Sequence, residues 1–126
     1  MSLLDIEKAK YQLESSLKSE DAWSRYWGLI VCSSFGEKAV DFELFVRQIA
    51  QKNPELINKV CAAEFLALIK SENPSKVMVN ALYETKDEVE ALFILNSIVL
   101  MKDGGFDYLF DIKVENISAN VKNDSG

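Results

Sequence analysis

Asp21-Ala22-Trp23-Ser24-Arg25-Tyr26-Trp27-Gly28 decides the fold, because its pattern returns twice downstream. Arg25-Tyr26-Trp27-Gly28 aligns with Lys59-Val60-Cys61-Ala62 after 34 residues, and with Ala91-Leu92-Phe93-Ile94 after a further 32. Four residues before each segment starts lies an acid: Asp21, Glu55 and Asp87. An acid four residues before a base on one helix makes a favourable pair of roughly 0.2–0.5 kcal/mol. The pattern therefore predicts Asp21–Arg25 and Glu55–Lys59 pairs, while the third unit keeps the acid and lacks the base. It also puts negative charge in a first helical turn, where the helix dipole favours it. Gly28, Ala62 and Ala63 place small residues where inner helices must approach closely. A period in the thirties is that of stacked helical hairpins, none of which buries its apolar face alone.

Around this core six helical segments can be read. The first covers about Leu3 to Lys18, with Ile6, Ala9, Leu13 and Leu17 on one face. The second, about Glu20 to Phe35, is apolar nearly all round, which predicts a buried helix, and Gly36 closes it as a left-handed cap. The third runs from about Glu37 to Lys52 on Phe42, Phe45, Val46 and Ile49. The fourth and fifth open on Asn53-Pro54 and Asn73-Pro74, an N-cap followed by proline at the first helical position. They end near Lys70 and Glu84. The sixth, about Lys86 to Lys102, is again mostly apolar, and Asp103-Gly104-Gly105 stops it.

Short loops make neighbouring helices antiparallel partners. Helices two, four and six are the more apolar and predict an inner layer; one, three and five are amphipathic and predict an outer one. The expected fold is all-α, a short α–α superhelix of about three antiparallel hairpins. Residues 1–105 form the repeat domain and 106–126 a C-terminal tail. In that tail Phe106, Tyr108, Phe110, Ile112 and Val114 alternate with polar residues as a strand would, apart from Leu109. Phe106, Leu109, Phe110, Val114 and Ile117 also fit a helix, and repeat logic favours the helix as the outer member of a further hairpin. Residues after Ser118 read as frayed. Asn116-Ile117-Ser118 reads as a solvated turn, and as a glycosylation site only in a eukaryotic secretory pathway.

Composition narrows the chemistry. The chain has 126 residues, enough to bury roughly two thirds of its unfolded surface. Fourteen basic and 20 acidic residues give a net charge of −6 without a basic cluster. That argues against nucleic acid or an anionic membrane as partner. There is no histidine, which removes Ser-His-Asp and Cys-His catalysis and His-ligated zinc. Cys32 and Cys61 are too few and too far apart for a disulfide scaffold or zinc site, and read as buried apolar residues. The opening residues lack a signal peptide's basic start and apolar run, and no stretch reaches the ~18 apolar residues of a membrane span.

Other candidates have plain readings. Trp23, Tyr26 and Trp27 would suit a carbohydrate platform, but their helix is too apolar to be exposed. Glu84, Asp87, Glu88 and Glu90 would suit calcium, but dipole complementation and solubility suffice. Asn96, inside the most apolar helix, is expected to be buried and hydrogen-bonded to a neighbour. Gly104-Gly105 lacks the lysine and helix start of a phosphate loop. No catalytic, cofactor or metal constellation stands out.

The inner segments also carry a resemblance. Asp21-Ala22-Trp23-Ser24-Arg25-Tyr26-Trp27-Gly28-Leu29, with Gly36-Glu37-Lys38-Ala39, resembles the acid, Arg-Tyr-Trp-small segment of the HEAT-like repeats appended to the C-terminus of many bacterial sulfatases. Lys59-Val60-Cys61-Ala62-Ala63-Glu64-Phe65-Leu66 and Ala91-Leu92-Phe93-Ile94-Leu95-Asn96-Ser97-Ile98 look like the next two repeats, the last with its Leu-Asn pair. The resemblance covers about residues 15 to 102. It implies a parent enzyme, periplasmic or exported, that hydrolyses sulfate esters with a formylglycine and a bound calcium. It carries no catalytic residue onto this chain: Cys32-Ser33-Ser34-Phe35-Gly36 lacks the proline and arginine of the formylglycine motif.

Two functions follow as expectations. One is a non-catalytic C-terminal module of a sulfatase, packing on the catalytic domain or shaping access to it. The alternative is a stand-alone, cytoplasmic HEAT-like adaptor for a protein partner. A small enzyme in its own right is the weakest reading.

Overall fold

A computed structural model of the chain describes residues 3–52, 55–104, 106, 108–119 and 121, with side chains from residue 10 onward. The expectations resting on the side chains of Ile6 and Ala9, on Asn53-Pro54, on Gly105 and on most residues after Ser118 fall outside the described residues.

Among the described residues six α-helices are defined: α1 (Leu3–Lys18), α2 (Ala22–Phe35), α3 (Glu43–Lys52), α4 (Leu56–Leu68), α5 (Ser75–Glu84) and α6 (Glu88–Asp103). No strand occurs among the described residues. α1 packs on α2, α3 on α4 and α5 on α6, giving three hairpins; α4 also packs on α2, α5 and α6. The fold is all-α, with α4 as its central helix.

The sequence of α4 explains that position. Cys61, Ala62, Phe65 and Leu66 join Leu13, Leu17, Leu29, Cys32 and Val46 in one apolar cluster. Val60, Ala63 and Ala67, on another face, join Met78, Leu82, Ile94 and Met101 in a second. Each fully buried Leu, Met or Phe contributes about 1.5–3 kcal/mol, and the small residues Ala62, Ala63 and Ala67 let neighbours approach from both sides. Gly28 does the same on α2: a Cβ there would lie 3.1 Å from Leu17 Cδ2 and 3.2 Å from Ser16 Cβ.

Several helix ends follow their local chemistry. Asn73 Oδ1 accepts from Ser75 N at 2.9 Å, but α5 begins at Ser75 with Pro74 as its N-cap, one residue later than expected. α4 starts at Leu56, with Glu55 extended before it. It ends in a Schellman motif: Ser71 N donates to Leu66 O and Lys70 N to Ala67 O, with Lys70 at φ 59°. Gly36 ends α2 at φ 60°, ψ −127°, a positive φ that glycine tolerates, though outside the left-handed helical region expected.

Four expectations need correction. The third helix is split: Gly36–Phe42 is a 3-10 segment kinked at Ala39, and α3 begins at Glu43. The buried pair Ala39 and Phe42, three residues apart, matches the 3-10 period. The tail does not form the favoured helix. Its described residues run irregularly from 108 to 113, make a short 3-10 turn at Val114–Asn116, and are helical at Ala119 and Val121. Phe106, Tyr108, Phe110 and Ile112 lie on the second apolar cluster, while Leu109 is 82% exposed. The alternation was that of a one-sided extended chain without a strand partner. It is pinned by Tyr108 Oη to Ala67 O (3.1 Å) and by Lys113 N to Tyr83 Oη (2.8 Å).

The third correction concerns Asn96, which is exposed; the buried amide is Asn58, only 2% accessible. The fourth matters most for function. α2 and α6 are apolar all round but not buried all round: Trp23 is 76% exposed, Trp27 53%, Val89 77% and Leu92 59%. Among the described residues α4 packs on both α2 and α6, whereas neither α2 nor α6 packs closely on a second inner helix.

Candidate functional site

The three aligned acids occupy one structural position, the N-cap of α2, α4 and α6. Asp21 Oδ2 accepts from Ser24 N (3.1 Å) and Ser24 Oγ (2.9 Å). The Ser24 hydroxyl and then its backbone N–H hold the Asp21 carboxyl below its usual range. Asp87 Oδ1 accepts from Val89 N (2.7 Å) and Glu90 N (3.2 Å). Such caps satisfy otherwise unpaired first-turn N–H groups.

The expected Asp21–Arg25 ion pair does not form. Arg25 Nη1 instead donates to Ser19 O at 2.7 Å, while Asp21 is engaged by Ser24. A short acid that caps its own helix turns back toward the N-terminus and away from position four.

A polar residue recurs three positions after each acid, and the structure uses all three. Ser24 completes the Asp21 cap. Asn58 Nδ2 donates to Ala22 O at 3.2 Å, joining the start of α4 to the start of α2. Glu90 Oε1 accepts from the buried Thr85 hydroxyl at 2.6 Å. These three residues were missed in the sequence, although their constant offset from the acids was the signal for the N3 position. A further polar link missed was Ser97 Oγ to Glu64 Oε2, 2.5 Å, between α6 and α4.

The starts of α2, α4 and α6 converge on a recess of about 460 Å³. Trp23, Tyr26 and Phe93 form its aromatic wall, and Glu55, Asp87 and Glu90 supply carboxylates. Trp23 meets Tyr26 edge to face (centroids 5.9 Å, planes at 87°), and Tyr26 meets Phe93 at 6.5 Å. The rings present a corner, not a flat platform of the kind a sugar ring stacks on. Burial, then the neighbouring Cys61 and Glu64, push the Tyr26 hydroxyl above its usual pKa. From this recess the exposed apolar side chains continue along α2 as Trp27 and Ile30, and along α6 as Leu92 and Val99. With Leu95 included on α6, they recur at three- or four-residue spacing on each helix, so each set lies on one face.

A second, more open recess is lined by Lys18, Arg25 and Lys52 beside Glu20. Arg25 Nε is buried there without a hydrogen-bond partner among the described residues. Lys18 is already paired with Glu14 at 2.8 Å and lies over the Phe45 ring.

The remaining candidate positions are dispersed. Lys59 borders a small recess between α4 and α5, while Ala62 and Ala63 are core residues. Cys32 and Cys61 are free and buried, and burial pushes each thiol up to about 12. No group of three or more Cys, Asp or Glu side chains converges as a metal site among the described residues. Cys32 is sealed in the core. No helix is long and apolar enough to cross a membrane among the described residues. No protein-family model, curated protein or solved structure matches the chain significantly.

Proposed function

We propose that this chain is a non-catalytic helical-repeat module that binds a protein surface through the exposed apolar faces of α2 and α6. The observation that carries the reading is Trp23 and Trp27, one turn apart on α2 and both mostly in solvent. Trp and Tyr are enriched at the centres of protein interfaces. Trp23 and Val89 line one recess, and with Trp27 and Leu92 they are large exposed apolar side chains of the kind a protein surface normally covers.

The resemblance to sulfatase-appended repeats gives this reading one specific form, in which the covering surface is a sulfatase catalytic domain in the same polypeptide. Its support is the residue pattern between about 15 and 102 alone. In the other form the partner is a separate protein. Blotting extracts of the source organism with an antibody against this domain separates the two. A band several times heavier than 14.2 kDa favours the appended module, and sulfatase assay of that product follows. A band at the size of this chain removes the appended form.

A further inference from the structure

We infer that the separate partner of this face is a second copy of the same chain, two copies pairing through the exposed apolar stripes of α2 and α6. The inference rests on the interaction-face reading and names its occupant. The stripes border one surface, since Trp23 and Val89 begin them at the same recess. Trp23 meets Tyr26 at 5.9 Å and Tyr26 meets Phe93 at 6.5 Å, so three rings carry apolar surface from α2 across to α6. Trp27 and Ile30 continue along α2, and Leu92, Asn96 and Val99 along α6, each at three- or four-residue spacing.

The area suits a dimer. A large apolar side chain, fully exposed, presents roughly 150–250 Å². At their observed exposures Trp23, Trp27, Ile30, Val89, Leu92 and Val99 together offer about 700 Å². A stable interface takes roughly 600–1,000 Å² from each partner. The stripes alone reach that range, before any flanking residue is counted.

The charge suits a copy of this chain. Each copy carries a net −6, so two copies repel wherever their charged surfaces meet. α6 has no charge between Glu90 and Lys102. On α2 the one charge is Arg25, whose guanidinium donates to Ser19 O and borders the other recess. Two acidic copies can therefore meet on the stripes without opposing like charges, and beyond the recess the stripes offer a charged partner nothing to pair with. The exposed polar side chain within the α6 stripe, Asn96, is neutral. A primary amide both donates and accepts, so it pairs with its own copy across a two-fold axis, the commonest symmetry of a homodimer. An axis near Asn96 and perpendicular to α6 turns the two helices antiparallel. The carboxylates of the two recesses then lie about 20 Å apart along the helix, beyond the screening length of roughly 8 Å at physiological salt.

The test is sedimentation equilibrium of the full chain from about 1 to 500 µM, with tryptophan emission read on the same samples. Trp23 and Trp27 are the chain's two tryptophans, so the emission reports this face alone. The mass is expected to rise from 14.2 kDa toward twice that value, with the emission moving to the blue as the rings leave water. Added salt should tighten the pairing, since it screens two acidic copies. Trp27→Asp and, separately, Leu92→Asp should each weaken association at least about tenfold. Leu44→Asp, at an exposed position of α3, should leave it unchanged. Circular dichroism checks that each variant folds, and either interface variant alone suffices. A monomer throughout the range, association that weakens with salt, association that survives both interface variants, or association lost equally with Leu44→Asp would each overturn the inference. If the chain stays monomeric while position 27 cross-links to a different protein, the second copy falls and the interaction face stands. If neither association nor a cross-link is found, both fall.

Discussion

Asn58 Nδ2 and the Ala22 carbonyl oxygen meet at 3.2 Å, and this bond sets the distance between the first turns of α4 and α2. The amide is buried, so replacing it with an apolar side chain removes a hydrogen bond between the two helix starts. Asn58→Leu is expected to lower stability by about 1–3 kcal/mol in urea unfolding. Asn96→Leu, at an exposed position of α6, should stay within about 0.5 kcal/mol of the parent. Equal effects from the two substitutions would contradict the assignment of burial.

Lys70 holds φ 59° at the C′ position of the Schellman motif that ends α4. A non-glycine residue in the left-handed region is strained, and glycine relieves that strain at some cost in unfolded-state entropy. Lys70→Gly should therefore stabilise the chain by about 0.5–1 kcal/mol, read as a higher urea midpoint at unchanged slope. Lys70→Val, β-branched at a positive φ, should do the opposite.

Gly28 tests the contact between α1 and α2. Alanine gains helix propensity of about 1 kcal/mol over glycine, but its Cβ presses on Leu17 and Ser16 at 3.1 and 3.2 Å. These offset one another, so Gly28→Ala should be close to neutral. Gly28→Val has no such offset and should cost about 1–3 kcal/mol. A neutral valine would mean that the two helices are not in close contact.

The thiols give a pH signature. Burial raises both from a reference of 9.0 to about 12 in the folded chain, so the folded state keeps protons that the unfolded state loses. Stability from this source is fully present below pH 9.0 and is lost as pH rises from there toward about 12. Unfolding midpoints measured from neutral pH to pH 10.5 should fall less steeply in a Cys32→Ala, Cys61→Ala variant than in the parent. At neutral pH neither thiol should react with an aromatic disulfide reagent at a rate faster than unfolding.

The hairpin array was legible because each hairpin announces itself locally. Asp21, Glu55 and Asp87 do fall at one structural position, and the spacing of 34 and 32 between Ala22, Leu56 and Glu88 is that of the helix starts. Periodicity could not tell which apolar sides were covered. α2, α4 and α6 look alike in sequence, yet among the described residues only α4 packs on two other inner helices, a fact of stacking order that no single helix records. That is why Trp23 and Trp27 read as core and turned out to be surface. The tail misled for a related reason: alternation marks one buried side of an extended chain and does not say whether a neighbouring strand exists. Asn96 read as buried and is exposed because an amide in an apolar helix is buried only if its own face is, as that of Asn58 is.

The most direct test of the interaction face is a photo-crosslinking amino acid placed at position 27 and, separately, at position 76 on α5, with both proteins expressed in the source cells. The account predicts one discrete adduct from position 27, or an internal cross-link if the chain belongs to a longer polypeptide, and none of that mass from position 76. The position-27 adduct should be lost on Leu92→Asp. No adduct at position 27, or the same set of adducts from both positions, would contradict the claim that α2 and α6 form a binding surface.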